Sequence, residues 1–422
     1  MSFSRRLSLL SIMFMLISIT FAVQHANGQE FPTASPEEVG LSSERLGKID
    51  QAVNGMIEND LFAGAVTMII RRNKLVHFKT FGMMDRENNK PMRKDAIFRI
   101  ASMTKPITCL AAMILYEEGH FLLSDPVSMY IPEFADPLVL TSESTTVPAK
   151  KEITIRNLMN HTSGLSSGAS YHAEIYKNAG IQGELSRPES TIGDMVRVLA
   201  GLPLLHHPGE DFTYGLSHHA LGYLIEVVSG MTLDAFIRER ILIPLDMKDT
   251  YFYLPESKLS RLAGLYKPVP GGGIERVPFR ETETLPFGTR TYYSGGSGLY
   301  SSITDYARFC MMIMNGGELD GVRMISRKSV ELMTTNSIGD SYSAFRTNSG
   351  DKYGLGFGIR SERGEYDELE SIGTVMWDGA WHTRFWIDPK EEMIGLFMSQ
   401  LSPKDWRLPA IIRNTAYQAI ID

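Results

Sequence analysis

The chain has 422 residues, of which 43% are hydrophobic, and a formal net charge of −7 at pH 7. It has no block of basic residues, which argues against nucleic acid as its partner. Its two cysteines, Cys109 and Cys310, are too few for a disulfide-stabilised scaffold, and both lie in apolar runs. We expect them to be buried, unpaired thiols inside a large folded domain.

The first 28 residues differ in composition from the rest of the chain. Arg5 and Arg6 precede a short apolar run, and residues 26–28 are a small Ala-Asn-Gly stretch suited to cleavage. This pattern predicts a secretory signal peptide over residues 1–28 and an exported protein, periplasmic or secreted. The alternative is an uncleaved membrane anchor. After cleavage no stable membrane insertion is expected, since no later apolar run is long enough.

The hydrophobic pattern changes period twice along the remaining chain. Alternating runs between residues 64 and 82 predict a strand pair. Apolar residues then recur at helical spacing in residues 102–118, 155–160, 192–202, 217–229, 233–240 and 303–315. Strand-like runs return at residues 353–360, 386–388 and 393–400, followed by a helix over residues 408–421.

Strands near both ends with helices between them predict an α/β (α+β) fold. We expect one antiparallel sheet built from both chain ends and flanked by terminal helices. A mainly helical lobe would be inserted at roughly residues 102–345 of a single domain over residues 29–422. A residue at the start of the first inserted helix would lie between the two lobes, where pockets are common.

The sequence from Ser102 to Lys105 reads S-x-x-K and opens the first helix of that lobe. The spacing puts the hydroxyl and the amine on the same helix face. The positive end of the helix dipole and partial burial both disfavour the ammonium form, so a neutral lysine could activate a serine nucleophile. An ordinary helix start is the alternative interpretation of this common spacing.

Two other segments could complete such a site. Tyr214 lies in the loop before the helix predicted at residue 217, where it could share proton transfers with a lysine. Further along, Gly379 could let the backbone approach a substrate, with the N–H of Ala380 directed into the site. Packing of the tyrosine and a simple turn at the glycine are the alternatives.

Taken in chain order, these residues resemble the serine β-lactamase-like fold family, especially class C β-lactamases and the esterases and peptidases built like them. The likeness covers nearly the whole mature chain, including residues 98–101, 158–165, 208–209, 243–247, 295–299 and 385–389. The resemblance implies that Ser102 is the nucleophile and that Lys105 and Tyr214 share the proton transfers. It also implies that the N–H groups of Ser102 and Ala380 form the oxyanion hole.

Two departures from the family pattern bear on the substrate. Leu216 replaces the asparagine that would bind a substrate amide, and Trp377-Asp378-Gly379 replaces Lys-Thr-Gly, so the cation for a substrate carboxylate is missing. We expect these four residues and His382 to line the substrate site, although His382 could instead fill space. The negative charge of Asp378 makes an anionic substrate less favourable.

The sequence therefore predicts an exported serine hydrolase that acts through an acyl-enzyme on carboxylic esters or related acyl bonds. Its expected partner is a small-molecule acyl substrate, with no cofactor. No spacing typical of a metal site is present, although pairs of histidines stand on both sides of Tyr214. The alternatives are a β-lactamase or D-amino-acid-type peptidase, and a non-catalytic sensor of acyl ligands.

Overall fold

The structure is a computed structural model of the chain. It describes residues 31–142, 145–167, 173–181, 190–278, 290–339, 351–362, 369–405 and 407–422. The chain divides into two compact units, Met1–Thr33 and Ala34–Asp422, and only residues 31–33 of the first are described. The predicted signal peptide and the predicted end of the inserted lobe near residue 345 lie outside the described residues.

Most of the strands are short, and only some join the main sheet. In chain order they are β1 (Gly64–Arg71), β2 (Lys74–Asp85), β3 (Lys90–Pro91), β4 (Ile97–Arg99), β5 (Leu138–Leu140), β6 (Thr146–Pro148), β7 (Tyr266–Pro268), β8 (Ile274–Arg276), β9 (Tyr300–Ser302), β10 (Glu318–Leu319), β11 (Val322–Arg323), β12 (Asp351–Tyr353), β13 (Gly358–Arg360), β14 (Val375–Gly379), β15 (Thr383–Asp388) and β16 (Met393–Met398).

An eight-stranded antiparallel sheet forms the centre of the Ala34–Asp422 unit, in the order β12-β13-β14-β15-β16-β1-β2-β3. The two ends of the chain meet where β1 pairs with β16, with Val66 opposite Met398 and Arg71 opposite Met393. Every residue of β1, β15 and β16 is buried, which is the pattern of strands covered on both faces. The predicted fold class is confirmed.

The described α-helices lie at the two ends of the unit and in the long segment between β4 and β12. In chain order they are α1 (Ser43–Leu46), α2 (Lys48–Glu58), α3 (Thr104–Glu117), α4 (Ile155–Met159), α5 (Ala173–Asn178), α6 (Ile192–Ala200), α7 (Ser217–Ser229), α8 (Leu233–Ile237), α9 (Ile303–Met314), α10 (Arg327–Met333) and α11 (Arg407–Gln418).

The terminal helices cover one face of the sheet. Apolar side chains of α2 and α11 form a common core with Met376 of β14 and Trp386 of β15. Because successive side chains of a strand point to opposite faces, Trp377 and Phe385 lie on the other face, where they contact Tyr214 and Tyr306 of the inserted segment. The sheet therefore separates a terminal-helix face from a face that meets the helical lobe.

Helix α3 is the central element of that lobe. All its residues from Thr104 to Leu115 are buried, as expected of a helix surrounded by protein. No single described helix has the length and apolar character to span a membrane, although the bent pair Ser217–Ser229 and Leu233–Leu242 meets those two criteria jointly. Cys109 and Cys310 are buried and unpaired, as predicted.

The sequence was wrong about one strand and incomplete about another. Residues 353–360 form the hairpin between β12 and β13 instead of one strand, because a turn closes where Gly354 N–H donates to Phe357 O (2.8 Å) and Gly356 has a φ of 88°. Strand β14, Val375–Gly379, was not among the predicted strands. The helix predicted over residues 233–240 ends at Ile237 and continues as a π-turn, Arg238–Leu242.

Candidate active site

Ser102 lies where the lobe meets the sheet. It belongs to a 3₁₀ turn, Ala101–Met103, that leads directly into α3, and its exposed fraction is 7%. The residue before it, Ala101, has a φ of 42°, a left-handed conformation that costs an alanine energy and persists only where the surroundings impose it. Ile100 N–H donates to Leu299 O (3.1 Å), which ties this turn to the segment before β9.

Lys105 is fully buried in the first turn of α3. Its Nζ donates to Ser102 Oγ at 3.1 Å and to the main-chain oxygen of Gly296 at 3.0 Å. The same Nζ lies 4.4 Å from the centroid of the Tyr214 ring. Lys105 is therefore oriented toward the serine by a main-chain oxygen from a distant segment, and it contacts both of the other predicted catalytic residues.

Tyr214 reaches this position from the loop before α7. Its ring packs against His161 on one side (centroids 4.5 Å apart) and against Trp377 on another (5.5 Å). The structure thus brings Ser102, Lys105 and Tyr214 together, although more than a hundred residues separate Tyr214 from the other two. Their catalytic roles stay predictions.

The end of β14 approaches the turn that holds Ser102. A Cβ atom on Gly379 would lie 2.5 Å from Ile100 O, so a larger residue would push the strand away from this turn. This close approach is the physical reason for a glycine here. It brings the Gly379–Ala380 segment next to the residues that precede Ser102, as the predicted oxyanion hole of the Ser102 and Ala380 N–H groups requires.

Asp378 does not act as an isolated negative charge. Its carboxylate forms an ion pair with Lys404, which lies in the segment between β16 and α11. The lysine offsets the negative charge that the sequence suggested would disfavour anionic substrates. The sequence alone could not predict this ion pair, because the two residues are 26 positions apart and meet only in the folded protein.

Two residues predicted to line the substrate site are instead almost inaccessible. The exposed fraction of Leu216, which precedes α7, is 1%. His382 is 2% exposed and packs edge-on against Phe62 and Phe397, which belong to the core beneath the terminal helices. Burial lowers the pKa of His382 to about 4, so the ring is neutral at pH 7. The packing of His382 agrees with the alternative that it fills space, and substrate contact by Leu216 and His382 stays a prediction.

Three buried histidines lie near the candidate catalytic residues. The sequence analysis did not assign them to the site. The rings of His161 and His218 lie 4.5 Å apart, and His218 Nε2 lies 3.3 Å from Cys109 Sγ. His219 Nε2 lies 2.8 Å from Ser294 Oγ. Burial, and then nearby positive charge that includes Lys105, holds the pKa of His161 and of His218 well below the usual range, so both rings are neutral.

The histidines do not form a metal site. Across the described ranges, no group of three or more His, Cys, Asp or Glu side chains is placed to hold a metal ion. The predicted site residues that meet around Ser102 are instead a hydroxyl, an amine and a phenol. Such a set can move protons and form a covalent bond to an acyl group.

Comparisons with known proteins agree with this chemistry. The sequence profile of the Beta-lactamase family matches residues 49–419. An uncharacterised protein of Mycobacterium tuberculosis is 32% identical over 370 residues, which are 83% of this chain and 89% of that protein. Esterase EstB of Burkholderia gladioli is 27% identical over 409 residues, 92% of this chain and 94% of that protein.

Two further comparisons point to different chemistries on the same fold. A candidate D-alanyl-D-alanine carboxypeptidase of Escherichia coli is 25% identical over 410 residues, 91% of this chain and 88% of that protein. Among solved structures, EstCE1, a hydrolase with promiscuous acyltransferase activity, matches with a TM-score of 0.77 and 25% identity over 89% of this chain and 99% of its own.

Proposed function

Since this chain belongs to the beta-lactamase-fold family of serine hydrolases, we propose that it hydrolyses neutral carboxylic esters or related acyl bonds through an acyl-enzyme on Ser102. The observation that carries this proposal is the 3.1 Å hydrogen bond from Lys105 Nζ to Ser102 Oγ beside the Tyr214 ring. A nucleophile and a basic group within hydrogen-bonding distance are the minimum requirement for acyl transfer without histidine.

The reaction proceeds in two stages. Ser102 Oγ attacks the acyl carbon while its proton passes to Lys105 or Tyr214, and the N–H groups of Ser102 and Ala380 stabilise the oxyanion. The bond to the alcohol oxygen then breaks, and the alcohol leaves with a proton delivered by Tyr214. A water molecule attacks the acyl-enzyme, releases the acid and restores the Ser102 hydroxyl.

The alternative is a β-lactamase or D-amino-acid-type peptidase, which uses the same acyl-enzyme. The name of the Escherichia coli relative favours it. Against it stand Leu216 and Trp377, which remove the usual amide and carboxylate ligands. A shared fold does not decide between these chemistries.

The deciding experiment is a turnover panel of short-chain p-nitrophenyl esters, nitrocefin and a D-Ala-D-Ala peptide, run on wild type and Ser102→Ala. We expect ester turnover only, and loss of several orders of magnitude in Ser102→Ala. Efficient penicillin or peptide turnover with negligible ester turnover would reverse the order of the two proposals. Asp378→Asn tests whether the negative charge of Asp378 disfavours anionic substrates, because its removal should favour esters that carry a carboxylate by a few-fold.

A fluorophosphonate probe separates both enzymes from a non-catalytic sensor of acyl ligands. Intact-mass spectrometry should show one adduct, mapped to Ser102, in the wild type and no adduct in Ser102→Ala. Absence of any adduct in the folded wild-type protein would favour the sensor. We further propose export; the N-terminal sequence of the mature protein should then begin at Gln29, whereas a full-length chain held in membranes would indicate an anchor.

A further inference from the structure

His161 occupies a left-handed backbone conformation that is uncommon for residues other than glycine. It follows α4 and the cap residue Asn160, and its φ is 60°. Glycine is the usual residue where a helix ends in the left-handed conformation, because it has no Cβ to clash. The histidine side chain is also fully buried. A buried histidine at a position suited to glycine raises the question of what its ring contacts.

His161 contacts the Tyr214 ring and also forms hydrogen bonds with the two residues that flank Tyr214 in the chain. The main-chain oxygen of His161 accepts from Thr213 N–H at 2.9 Å, and its Nδ1 accepts from Gly215 N–H at 3.4 Å. These are the residues directly before and after Tyr214. Between the two hydrogen bonds, the His161 ring packs on the Tyr214 ring at 4.5 Å with an interplanar angle of 40°.

Tyr214, which is partly buried, also contacts Trp377 and Lys105. Trp377 packs at 5.5 Å between centroids, and Lys105 Nζ lies 4.4 Å from the ring centroid. The phenol is therefore held by elements from three distant parts of the chain. Of these contacts, those of His161 alone hold both the ring and the main chain around it.

We propose that His161 is a positioning residue, which acts through Tyr214 by holding its phenol in register with Ser102 and Lys105. This inference rests on the proposed function, because it assumes that Tyr214 transfers protons in the reaction. Proton transfer requires hydrogen-bonding distance, and a displacement of about 1 Å can lower a rate 10²-fold. The hydrogen bond from Gly215 N–H requires a neutral His161 ring, since a protonated Nδ1 cannot accept a hydrogen bond.

The surroundings favour that neutral state. The titratable groups facing His161 are Lys105 of α3, His218 and His219 of α7, Tyr214 and Tyr353. Burial is the largest cause of its lowered pKa, and any positive charge on His218, Lys105 or His219 would lower it further. Nδ1 therefore keeps its lone pair for the Gly215 N–H, and the ring carries its hydrogen on Nε2.

The test compares His161→Asn with His161→Leu. An asparagine Oδ1 can replace Nδ1 as acceptor and asparagine tolerates a positive φ, whereas leucine offers no acceptor. We expect His161→Leu to lower kcat about 10- to 100-fold with KM changed less than about 3-fold, and to displace the pH profile of kcat. His161→Asn should recover most of the kcat and the wild-type pH profile.

The matched control is His207→Leu. His207 Nδ1 also accepts a main-chain N–H, that of Lys150 at 3.2 Å, so this substitution removes the same kind of hydrogen bond at another place in the fold. Thermal unfolding of all variants shows how much folded protein each assay contains. If His161→Leu does not fold, the comparison of His161→Asn with wild type decides, and a loss as large as 10-fold there overturns the acceptor role.

The inference is overturned if His161→Leu folds and keeps the wild-type kcat and pH profile, or if His207→Leu loses as much. Labelling of Ser102 by a fluorophosphonate distinguishes this failure from failure of the proposed function. A wild-type protein that labels at Ser102 and hydrolyses esters, combined with a fully active His161→Leu, rejects only the positioning role. A wild type without label or turnover rejects the proposed function itself.

Discussion

Two buried polar clusters lie on opposite faces of the central sheet. On the terminal-helix face, Glu370 Oε1 forms ion pairs with Arg360 (2.6 Å) and Arg413 (3.2 Å), and Arg360 also pairs with Asp351 (3.3 Å). Glu370 and Arg413 are fully buried. Here each charge has at least one partner of opposite sign, and Arg413 joins α11 to the sheet.

The cluster around Ser102, on the other face, is built differently. Lys105 Nζ donates to the Ser102 hydroxyl and to the Gly296 carbonyl, which are uncharged groups, and it contacts the Tyr214 ring. Burial keeps His161 beside them neutral as well. The groups described around Ser102 are thus hydrogen-bonding and aromatic groups rather than ion pairs.

The difference separates charged groups that stabilise the fold from the groups that take part in the proposed reaction. In the first cluster, paired charges connect α11 to the sheet, and removing one of them leaves another buried without compensation. In the second cluster, the polar groups converge on one hydroxyl. Substitutions in the two clusters should therefore affect different measurements.

Lys105→Arg should have the largest effect, at least about 10³-fold on kcat/KM. A guanidinium stays protonated at every accessible pH, so it cannot take the proton of Ser102. The positive charge is retained, and the midpoint of thermal unfolding tests whether the fold is retained too. Ester hydrolysis across pH 6 to 10 is the measurement. A variant with most of the wild-type activity would mean that another residue is the base.

Glu370→Gln should lower the stability of the fold and leave ester turnover nearly unchanged, which is the opposite of the effect expected for Lys105→Arg. It leaves Arg360 and Arg413 without their shared carboxylate, and we expect the free energy of unfolding to fall by about 3–5 kcal/mol. Urea denaturation measures this loss, and ester turnover per folded molecule should stay near that of the wild type. The control is Glu331→Gln, which breaks exposed ion pairs with Arg327 and Lys328 and should cost less than about 1 kcal/mol.

A loss below about 1 kcal/mol in Glu370→Gln would contradict the structural role of the charge cluster. A fall in turnover per folded molecule as large as that of Lys105→Arg would contradict the separation between the two faces.

His382→Phe should have the smallest effect, visible as a change in the pH dependence of stability. The pKa of His382 is about 4 in the folded protein and about 6.5 in the unfolded chain, so between these values the unfolded state binds more protons. Stability is therefore greatest above pH 6.5 and falls as the pH drops to about 4, by up to about 3 kcal/mol from this group. Phenylalanine cannot titrate, so the variant should lose less stability over this range.

Denaturant unfolding at several pH values between 7 and 4 measures that difference. Part of the slope should persist in the variant, because burial also lowers the pKa of His77 to about 4. The control is His120→Phe, since His120 is half-exposed and should change the slope little. An unchanged slope in His382→Phe, or a large loss of ester turnover, would show that His382 does not simply fill the core.

Much of the fold was predictable because the hydrophobic period is a local property. The hairpin at residues 64–82, the buried helix after Ser102 and the helix at 217–229 have clear periods, and the structure contains all three. The run at 353–360 was misinterpreted because its glycines allow a turn that hydrophobicity does not reveal. Strand β14 was missed because it is short and ends in polar and small residues.

The candidate site was predictable only in part. Ser102 and Lys105 are three residues apart on one helix, so their spacing alone brings them together. Tyr214 and Gly379 were found through the order of motifs along the chain. His161, the Gly296 oxygen and Lys404 were not identified, because each acts through a contact with a residue far away in sequence. The burial of Leu216 and His382 was not predicted, because a motif position does not reveal burial.

The sequence by itself determined the family, the fold class and the candidate catalytic residues, because these depend on local spacing and on the order of motifs. The tertiary structure alone decided which groups surround the lysine, which charges are offset and which face of the sheet each side chain occupies. Those properties depend on burial and on contacts between distant segments, which exist only after the two ends of the chain pair in the sheet.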